Sequence, residues 1–151
     1  MIIFSDKELQ NALKIISSTI IKCEKMQLKF KEGTSQYSLL SNRIKAMEIS
    51  KSLVERDSNI QIYNKDDLDK ALPPVISIIN KTEKAQSKYE KGSVQFKRFS
   101  PIIEAMYVAK SLIIEEIENS AGTLDETKWG KEYEIHWFIQ ITNRSRYWKK
   151  R

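Results

Sequence analysis

The sequence predicts an α-rich α+β fold: a tandem duplicated β-αα unit with four main helices, followed by a C-terminal β-strand. Three observations predict it: an internal repeat with a 59-residue offset, apolar residues at helical spacing in each copy, and a period-two apolar pattern near the C-terminus. A chain of 151 residues is expected to form a single domain over 1–151. That domain comprises repeat 1 (1–59), repeat 2 (60–118), and a C-terminal strand with a basic tail (119–151).

The duplication is ungapped. When residues 9–56 are placed on residues 68–115, nineteen of the 48 positions are identical. Composition bias does not produce that density of matches over one continuous segment, so we infer a tandem repeat.

Each copy opens with a short β-prone run, 1–4 in the first and 60–63 in the second, which predicts a short strand. A polar N-cap follows: Ser5, with Glu8 completing a capping box, and Asn64 in the second copy. The first helix of each copy then has an apolar stripe at helical spacing. The stripe consists of Leu9, Leu13, Ile16, Ile20, Cys23 and Phe30 in repeat 1, and of Leu68, Leu72, Val75, Ile79 and Tyr89 in repeat 2.

Prolines and glycines set the expected limits of these helices. Pro73 and Pro74 predict a short helical turn and then a main helix that starts near Pro73, because proline donates no backbone hydrogen bond. Gly33 and Gly92 are expected at the left-handed position that ends each first helix.

A second helix follows in each copy. In repeat 2, Pro101 matches Asn42 and is preceded by Ser100, which favours Pro101 as the first helical residue. On that interpretation residues 35–40 form a tight loop, whereas their apolar spacing favours helix, and the sequence leaves both open.

The C-terminal segment has the clearest period-two pattern in the chain. Apolar residues occupy every second position from Tyr133 to Ile141, which predicts a strand over about 132–142. The strand could pair with the two short ones to form a small sheet under four helices, or lie at the edge of two stacked helical hairpins. Whether the repeats are related by a pseudo-two-fold axis or stack side by side is also open.

The formal net charge of +6 is unevenly distributed: residues 1–59 carry +3, residues 60–118 carry zero and residues 119–151 carry +3. Basic and aromatic side chains are concentrated in the tail: Arg144, Arg146, Tyr147, Trp148, Lys149, Lys150 and Arg151. Such a tail suits nucleic acid or an anionic membrane surface, and a solvated end of the chain has the same composition.

Both copies keep a polar set on the first helix. It contains Lys22, Glu24, Lys25, Gln27 and Lys29 in repeat 1 and Lys81, Glu83, Lys84, Gln86 and Lys88 in repeat 2. The lysines are three and four residues apart and share one helix face. Their retention predicts two equivalent partner-binding surfaces, although a solvated face or a recent duplication explains it equally. Gln36 and Gln95, just past the glycines, are candidates either for partner binding or for hydrogen bonds to the loop backbone.

The residue types that carry catalysis are scarce. His136 is the only histidine, and Cys23, the only cysteine, lies on the apolar stripe and is interpreted as a small core residue. Four scattered glycines form no phosphate-binding loop, and one histidine excludes multi-histidine metal sites. The sequence therefore predicts no enzyme: no catalytic residue, metal site or cofactor is expected.

No stretch approaches the length of about 18 apolar residues that a membrane span needs. The acidic residues that follow Phe4 argue against a signal peptide. A single cysteine indicates a reducing compartment, so a cytoplasmic location is expected.

One segment resembles a known family. Its residues are Lys29-Phe30-Lys31-Glu32-Gly33-Thr34-Ser35-Gln36-Tyr37-Ser38-Leu39-Leu40, followed by Asn42-Arg43-Ile44-Lys45-Ala46. This segment resembles segments of small helical immunity proteins from bacterial polymorphic-toxin and contact-dependent-inhibition loci. The resemblance implies a cytoplasmic, non-enzymatic protein that binds a cognate toxin and blocks its active site. For a basic inhibitor, it further implies that the contact face of the toxin is acidic.

Three functions follow from these patterns. A non-catalytic protein-binding module is favoured, with a toxin domain as one such partner. Nucleic-acid binding by the basic aromatic tail is the alternative. A homodimer formed through the edge of the last strand is the third, so the chain is expected to be a monomer or a homodimer.

Overall fold

The computed structural model describes residues 3–56 and 63–121, of which 82% are helical. Four helices follow one another: α1 (Asp6–Gln27), α2 (Ser35–Glu55), α3 (Lys65–Gln86) and α4 (Val94–Ala121). These ranges contain no strand, so the described fold is all-α and the α+β prediction is wrong. The strand predicted over 132–142 lies outside the described residues, as do residues 1–2 and 60–62 of the short strands.

The described residues of the predicted short strands precede the first helix of each repeat. Phe4 lies directly before Ser5, the N-cap of α1, and Tyr63 lies directly before Asn64, the N-cap of α3. An apolar residue at that position packs on the first turns of a helix and sets the direction in which the chain enters it. Phe4 is buried and Tyr63 is half-buried, so their apolar character reflects helix entry and not strand pairing.

The predicted N-caps are confirmed in both repeats. In the capping box of α1, the Glu8 amide donates to Ser5 Oγ over 3.2 Å, and the Ser5 amide donates to the Glu8 carboxylate over 2.7 Å. In α3, the Asp67 amide donates to Asn64 Oδ1 over 2.8 Å. These side chains satisfy amide groups that have no partner within the helix.

The prolines lie inside helices, so the predicted start of a main helix near Pro73 is wrong, and Pro101 is not the first helical residue, which decides an alternative that the sequence left open. α3 runs without interruption through Pro73 and Pro74, and α4 begins seven residues before Pro101. Each proline removes one backbone hydrogen bond from the helix. Leu72 and Val75, next to the proline pair, are buried, and that tertiary packing stabilises α3 despite the lost bonds.

The glycines lie within the hairpin loops. Gly33 and Gly92 have φ of 91° and 88°, so the predicted left-handed conformation is confirmed. α1 and α3, however, end six residues earlier, at right-handed C-caps, so the glycines do not end the helices as predicted. Residues 35–40 are helical, which decides the alternative that the sequence left open.

The four helices pack as two hairpins related by an approximate two-fold axis. α1 packs on α2 and α3 packs on α4; between the hairpins, α1 contacts α4, α3 contacts α2, and α2 contacts α4, whereas α1 and α3 do not touch. Exchanging the hairpins leaves this set of contacts unchanged, as a two-fold axis between α2 and α4 requires. Stacking side by side would separate α1 from α4, so the contacts agree with the pseudo-two-fold arrangement and not with stacking.

Equivalent residues of the two repeats form the core. Ala12, Ile16, Ala46, Met47, Ile49 and Val54 are buried, as are their counterparts Ala71, Val75, Ala105, Met106, Val108 and Ile113. Lys45, near the middle of α2, lies 2.9 Å from Asp67 in the first turn of α3, so α3 begins alongside the middle of α2. The four helices belong to one compact unit. That the whole of 1–151 is a single domain stays a prediction.

Candidate functional site

The six lysines predicted to bind a partner are exposed, and none makes an ion pair with another described residue. The first lysine triad is Lys22, Lys25 and Lys29, and the second is Lys81, Lys84 and Lys88. Each triad runs from the last turns of α1 or α3 into the following loop. We call residues 22–36 the first tip and residues 81–95 the second tip.

Gln36 and Gln95, the other two predicted partner-binding residues, are exposed on the first turns of α2 and α4. Gln36 accepts a hydrogen bond from the neighbouring Ser35 hydroxyl over 3.2 Å. The loop backbone is bonded by other side chains, because the hydroxyls of Thr34 and Ser93 cap the second helix and donate to the preceding loop. The prediction that the two glutamines bond the loop backbone is therefore wrong, and both side chains are accessible to a partner.

A different pair of glutamines stabilises the hairpins. Gln27 Nε2 donates to the Tyr37 carbonyl over 3.3 Å and to Ser41 Oγ over 2.6 Å. In repeat 2, Gln86 Nε2 makes the same two bonds, over 3.0 Å to a carbonyl and 3.1 Å to Ser100 Oγ. The sequence pattern places both glutamines in the polar set and does not indicate this role. The signal was the identity of Gln and Ser at the same separation in both repeats.

Large apolar side chains lie exposed within both tips. Leu28 is 87% exposed and Val94 is 69% exposed, and Met26, Phe30 and Tyr89 are also exposed. The sequence pattern places Phe30 and Tyr89 on the buried stripe, which is wrong because α1 and α3 end before reaching them. Each tip therefore contains exposed cationic and exposed apolar side chains.

A surface groove with a volume of about 370 Å³ lies along α2 in repeat 1. It is lined by Tyr37, Ser41, Ile44, Lys45 and Glu48 of α2, with Gln27 from the end of α1 and Tyr63 from the entry to α3. The groove brings together two tyrosine rings, one aliphatic side chain and charges of both signs. Three separate elements form it, so no single sequence segment predicted it.

The equivalent place in repeat 2 is closed. Gln86, Ser100 and Ile103 are buried there, whereas their counterparts in repeat 1 are half-buried. The two repeats thus share a backbone arrangement but differ in whether this surface is accessible.

Two differences between the repeats explain the closure. Phe4, at the entry to α1, is 6% exposed, whereas Tyr63, at the entry to α3, is half-buried. Tyr107 takes the position of Glu48, and the Tyr107 hydroxyl donates a hydrogen bond to the Glu83 carboxylate of α3. An aromatic side chain therefore bridges α4 and α3 in repeat 2, where repeat 1 has an exposed carboxylate.

Glu83, Tyr107 and Lys110 form a polar cluster within the second hairpin. Lys110 is 2% exposed, and burial lowers its pKa to about 8 against the attraction of the Glu83 carboxylate, which raises it. Burial and the hydrogen bond to Glu83 raise the pKa of Tyr107 well above its usual range. Because Lys110 is buried and the other two groups are half-buried between α3 and α4, we expect the cluster to contribute to stability.

Cys23 is buried, which confirms its interpretation as a core residue. Burial raises the pKa of its thiol, against the opposing charge of Arg43, and so disfavours the thiolate. Within residues 3–56 and 63–121, no group of acidic, histidine or cysteine side chains could hold a metal ion. No helix in the same ranges is both long and apolar enough to cross a membrane.

His136 and the predicted nucleic-acid-binding tail lie outside the described residues. That tail consists of Arg144, Arg146, Tyr147, Trp148, Lys149, Lys150 and Arg151. No family model matches the chain, and no curated protein or solved structure matches it. The candidate sites within the described residues are therefore the two tips and the groove.

Proposed function

We propose that this protein is a non-catalytic binding module that recognises an acidic protein through its two hairpin tips. The observation that carries the proposal is the exposure of both lysine triads, retained at equivalent positions and unpaired with any other described residue. Exposed apolar side chains accompany the triads in both tips, and exposed apolar surface surrounded by polar residues is typical of interaction sites.

The composition of the tips fits a protein partner better than a simple polyanion. Leu28, Phe30 and Met26 in the first tip offer apolar area that an interface core can bury. The lysines around them would steer an acidic partner and suppress basic ones. Apolar contacts would supply affinity, and charge would supply specificity and association rate.

The specific form of this proposal is an immunity protein that neutralises a cognate toxin by direct binding. The segment that resembles such proteins, Lys29–Leu40 followed by Asn42–Ala46, forms the loop of the first tip and the first half of α2. A toxin with an acidic contact face would meet the first lysine triad there. A cytoplasmic location belongs to the same proposal, because the single cysteine, Cys23, is a buried free thiol.

The test is capture of a partner from extracts of the native host by the tagged full chain, in low and moderate salt and with nuclease. We expect one acidic protein retained at a stoichiometric level through nuclease treatment. Lys22→Glu, Lys25→Glu and Lys29→Glu together should lower its retention by at least about tenfold. The matching triple variant of the second triad should do the same.

The matched control reverses two exposed lysines elsewhere on α1, with Lys7→Glu and Lys14→Glu, and should leave retention unchanged. Failure to retain any stoichiometric protein, or equal loss in the control, would contradict the proposal. Bound material that disappears with nuclease or moderate salt would favour the nucleic-acid alternative, in which the basic tail binds.

A further inference from the structure

We propose that the groove of repeat 1 receives a tyrosine side chain of the protein partner, in the place that Tyr107 fills in repeat 2. The inference deepens the function proposed above and rests on it for the partner being a protein. It assigns to the groove one occupant, a phenol ring carried by a protein segment.

The second repeat shows which chemistry fills this place. Position 107 is equivalent to position 48, and the backbone around both has the same cap, loop and glutamine bridge. In repeat 2 the half-buried Tyr107 side chain reaches from α4 to the Glu83 carboxylate of α3, and Gln86, Ser100 and Ile103 are more deeply buried than their counterparts in the groove. In repeat 1 the side chain at that position is Glu48, which is exposed, and the groove is open.

Repeat 1 has lost the tyrosine but keeps its hydrogen-bond acceptor. Glu83, which accepts the hydrogen bond from Tyr107, is matched by Glu24 in repeat 1, and Glu24 is exposed. A hydroxyl that donates to a carboxylate makes a strong, charge-assisted hydrogen bond. Glu24 does not line the groove itself but lies one helical turn before Gln27, which does. A tyrosine that enters the groove beside α1 would donate to Glu24 as Tyr107 donates to Glu83.

The groove lining fits an aromatic ring. Tyr37 and Tyr63 offer rings for edge or face contacts, and Ile44 offers an apolar surface. The volume of about 370 Å³ accommodates one large side chain together with part of its backbone, and it lies at the small end of ligand pockets, which run from about 300 Å³ upward. Gln27, which lines the groove, also belongs to the first tip, so the groove adjoins the proposed partner surface.

The probes are p-cresol, which is the side chain of tyrosine, and toluene, which lacks its hydroxyl. Amide signals of the ¹⁵N-labelled full chain report where each probe binds. We expect p-cresol to shift the amides of Ser41, Ile44 and Glu48 and to leave those of Ser100 and Ile103 in place. Toluene should shift the same amides but bind the groove with an affinity about three- to tenfold lower, because toluene cannot donate a hydrogen bond to Glu24.

Two variants test the assignment. Glu48→Tyr places the residue of repeat 2 in repeat 1, so it should close the groove and abolish the shifts caused by p-cresol. Glu55→Tyr adds the same ring at an exposed position of α2 outside the groove lining and should leave the shifts unchanged. Glu24→Gln should weaken p-cresol binding and leave toluene binding unchanged, and this conservative variant does not depend on how Glu48→Tyr folds.

Several outcomes would overturn the inference: p-cresol shifts that persist in Glu48→Tyr, equal shifts in both repeats, or equal affinity for both probes. A partner that is lost with the lysine variants but retained by Glu48→Tyr would also overturn it, and would leave the proposed function standing. A phenol bound in the groove with no protein retained would overturn the proposed function instead. A dimer seen by sedimentation and dispersed by Glu48→Tyr would also overturn the inference, because the occupant of the groove would then be a second copy of this chain.

Discussion

Gln86 closes the second hairpin with a single side-chain amide group. Its Nε2 atom donates to the Phe96 carbonyl and to Ser100 Oγ, and both glutamine and serine are buried. A buried polar group that loses its partner pays the full cost of desolvation, whereas an exposed one turns to water. How much a glutamine contributes to the free energy of unfolding therefore depends on its burial, and not on its presence in both repeats.

We predict that Gln86→Ala lowers the free energy of unfolding by about 1–3 kcal/mol, because the Ser100 hydroxyl and a carbonyl lose their donor. The matched control is Gln95→Ala, which removes the same side chain at an exposed position and should change stability by less than about 0.5 kcal/mol. Urea unfolding followed by circular dichroism measures both. Equal effects of the two substitutions would refute the role assigned to Gln86.

Lys110 makes stability depend on pH. In the unfolded chain it holds its proton up to its ordinary pKa of 10.5, whereas in the folded chain burial lowers that pKa to about 8. Between these values the unfolded state binds more protons, so the free energy of unfolding rises with pH. Tyr107, whose pKa is raised by folding, opposes this rise only above about pH 10, where an unfolded tyrosine ionises.

We therefore predict that the protein becomes more stable from about pH 7.5 to about pH 9.5, by roughly 1–2 kcal/mol. Urea unfolding at a series of pH values in this window measures the slope. Lys110→Met keeps the length of the side chain and removes the titrating group, so most of the slope should disappear. A slope that is the same in this variant would show that other groups cause it.

At the scale of elements, α1 and α3 are equivalent helices of the two repeats, but only α3 contains prolines. α3 contains Pro73 and Pro74 where α1 has Lys14 and Ile15, yet both helices are 22 residues long. Proline lacks an amide hydrogen, and its ring crowds the carbonyl four residues earlier. α3 is helical at this point because its apolar face is buried, so packing overrides a local preference.

We predict that Pro73→Lys, which restores the residue of repeat 1, raises the free energy of unfolding by about 1–2 kcal/mol. The new amide can donate within the helix, and the loss of proline's restraint on the unfolded chain offsets part of the gain. Pro73 is exposed, so the core is not disturbed. The reciprocal Lys14→Pro should destabilise the protein, and thermal unfolding compares the two. Destabilisation by Pro73→Lys would contradict this account of α3.

At the scale of the whole molecule, neither hairpin can bury its apolar face alone. Met47 and Ile49 of α2 and Met106 of α4 are almost completely buried, and α2 contacts both helices of the other hairpin. In the two-fold arrangement, each hairpin buries the apolar face of the other. Folding of one hairpin is therefore expected to depend on the other, because isolated helices gain little stability without tertiary packing.

We predict that residues 1–59 and residues 60–151, expressed as separate chains, each lose most of their helical circular dichroism at 222 nm. Mixing them in equal amounts should restore helix, because the interface between the hairpins can form between two chains. A mixture of either chain with itself is the control and should show no such recovery at the same concentration. A cooperative thermal transition of either chain alone would show that the hairpins fold independently.

The features that the sequence predicted correctly depend on residues close together in the chain or repeated along it. Ser5 and Asn64 act as caps because an N-cap needs only its own first turn. Gly33 and Gly92 adopt positive φ because few other residues do so at low cost. The lysine triads are exposed as expected, since charged side chains at helical spacing rarely leave solvent.

The features that the sequence did not predict depend on which elements meet. An apolar residue such as Phe4 or Tyr63 is equally typical of a β-strand and of the position before a helix N-cap. Only the packing of the helix that follows shows which of the two structures forms. The groove lies where the entry to α3, at Tyr63, meets the middle of α2, and Glu48 lines it at the position that Tyr107 occupies in repeat 2. Local sequence preferences determined two similar hairpins. The packing of one hairpin on the other decided which surfaces are buried and which are accessible to a partner, because burial depends on neighbours that are distant in the chain.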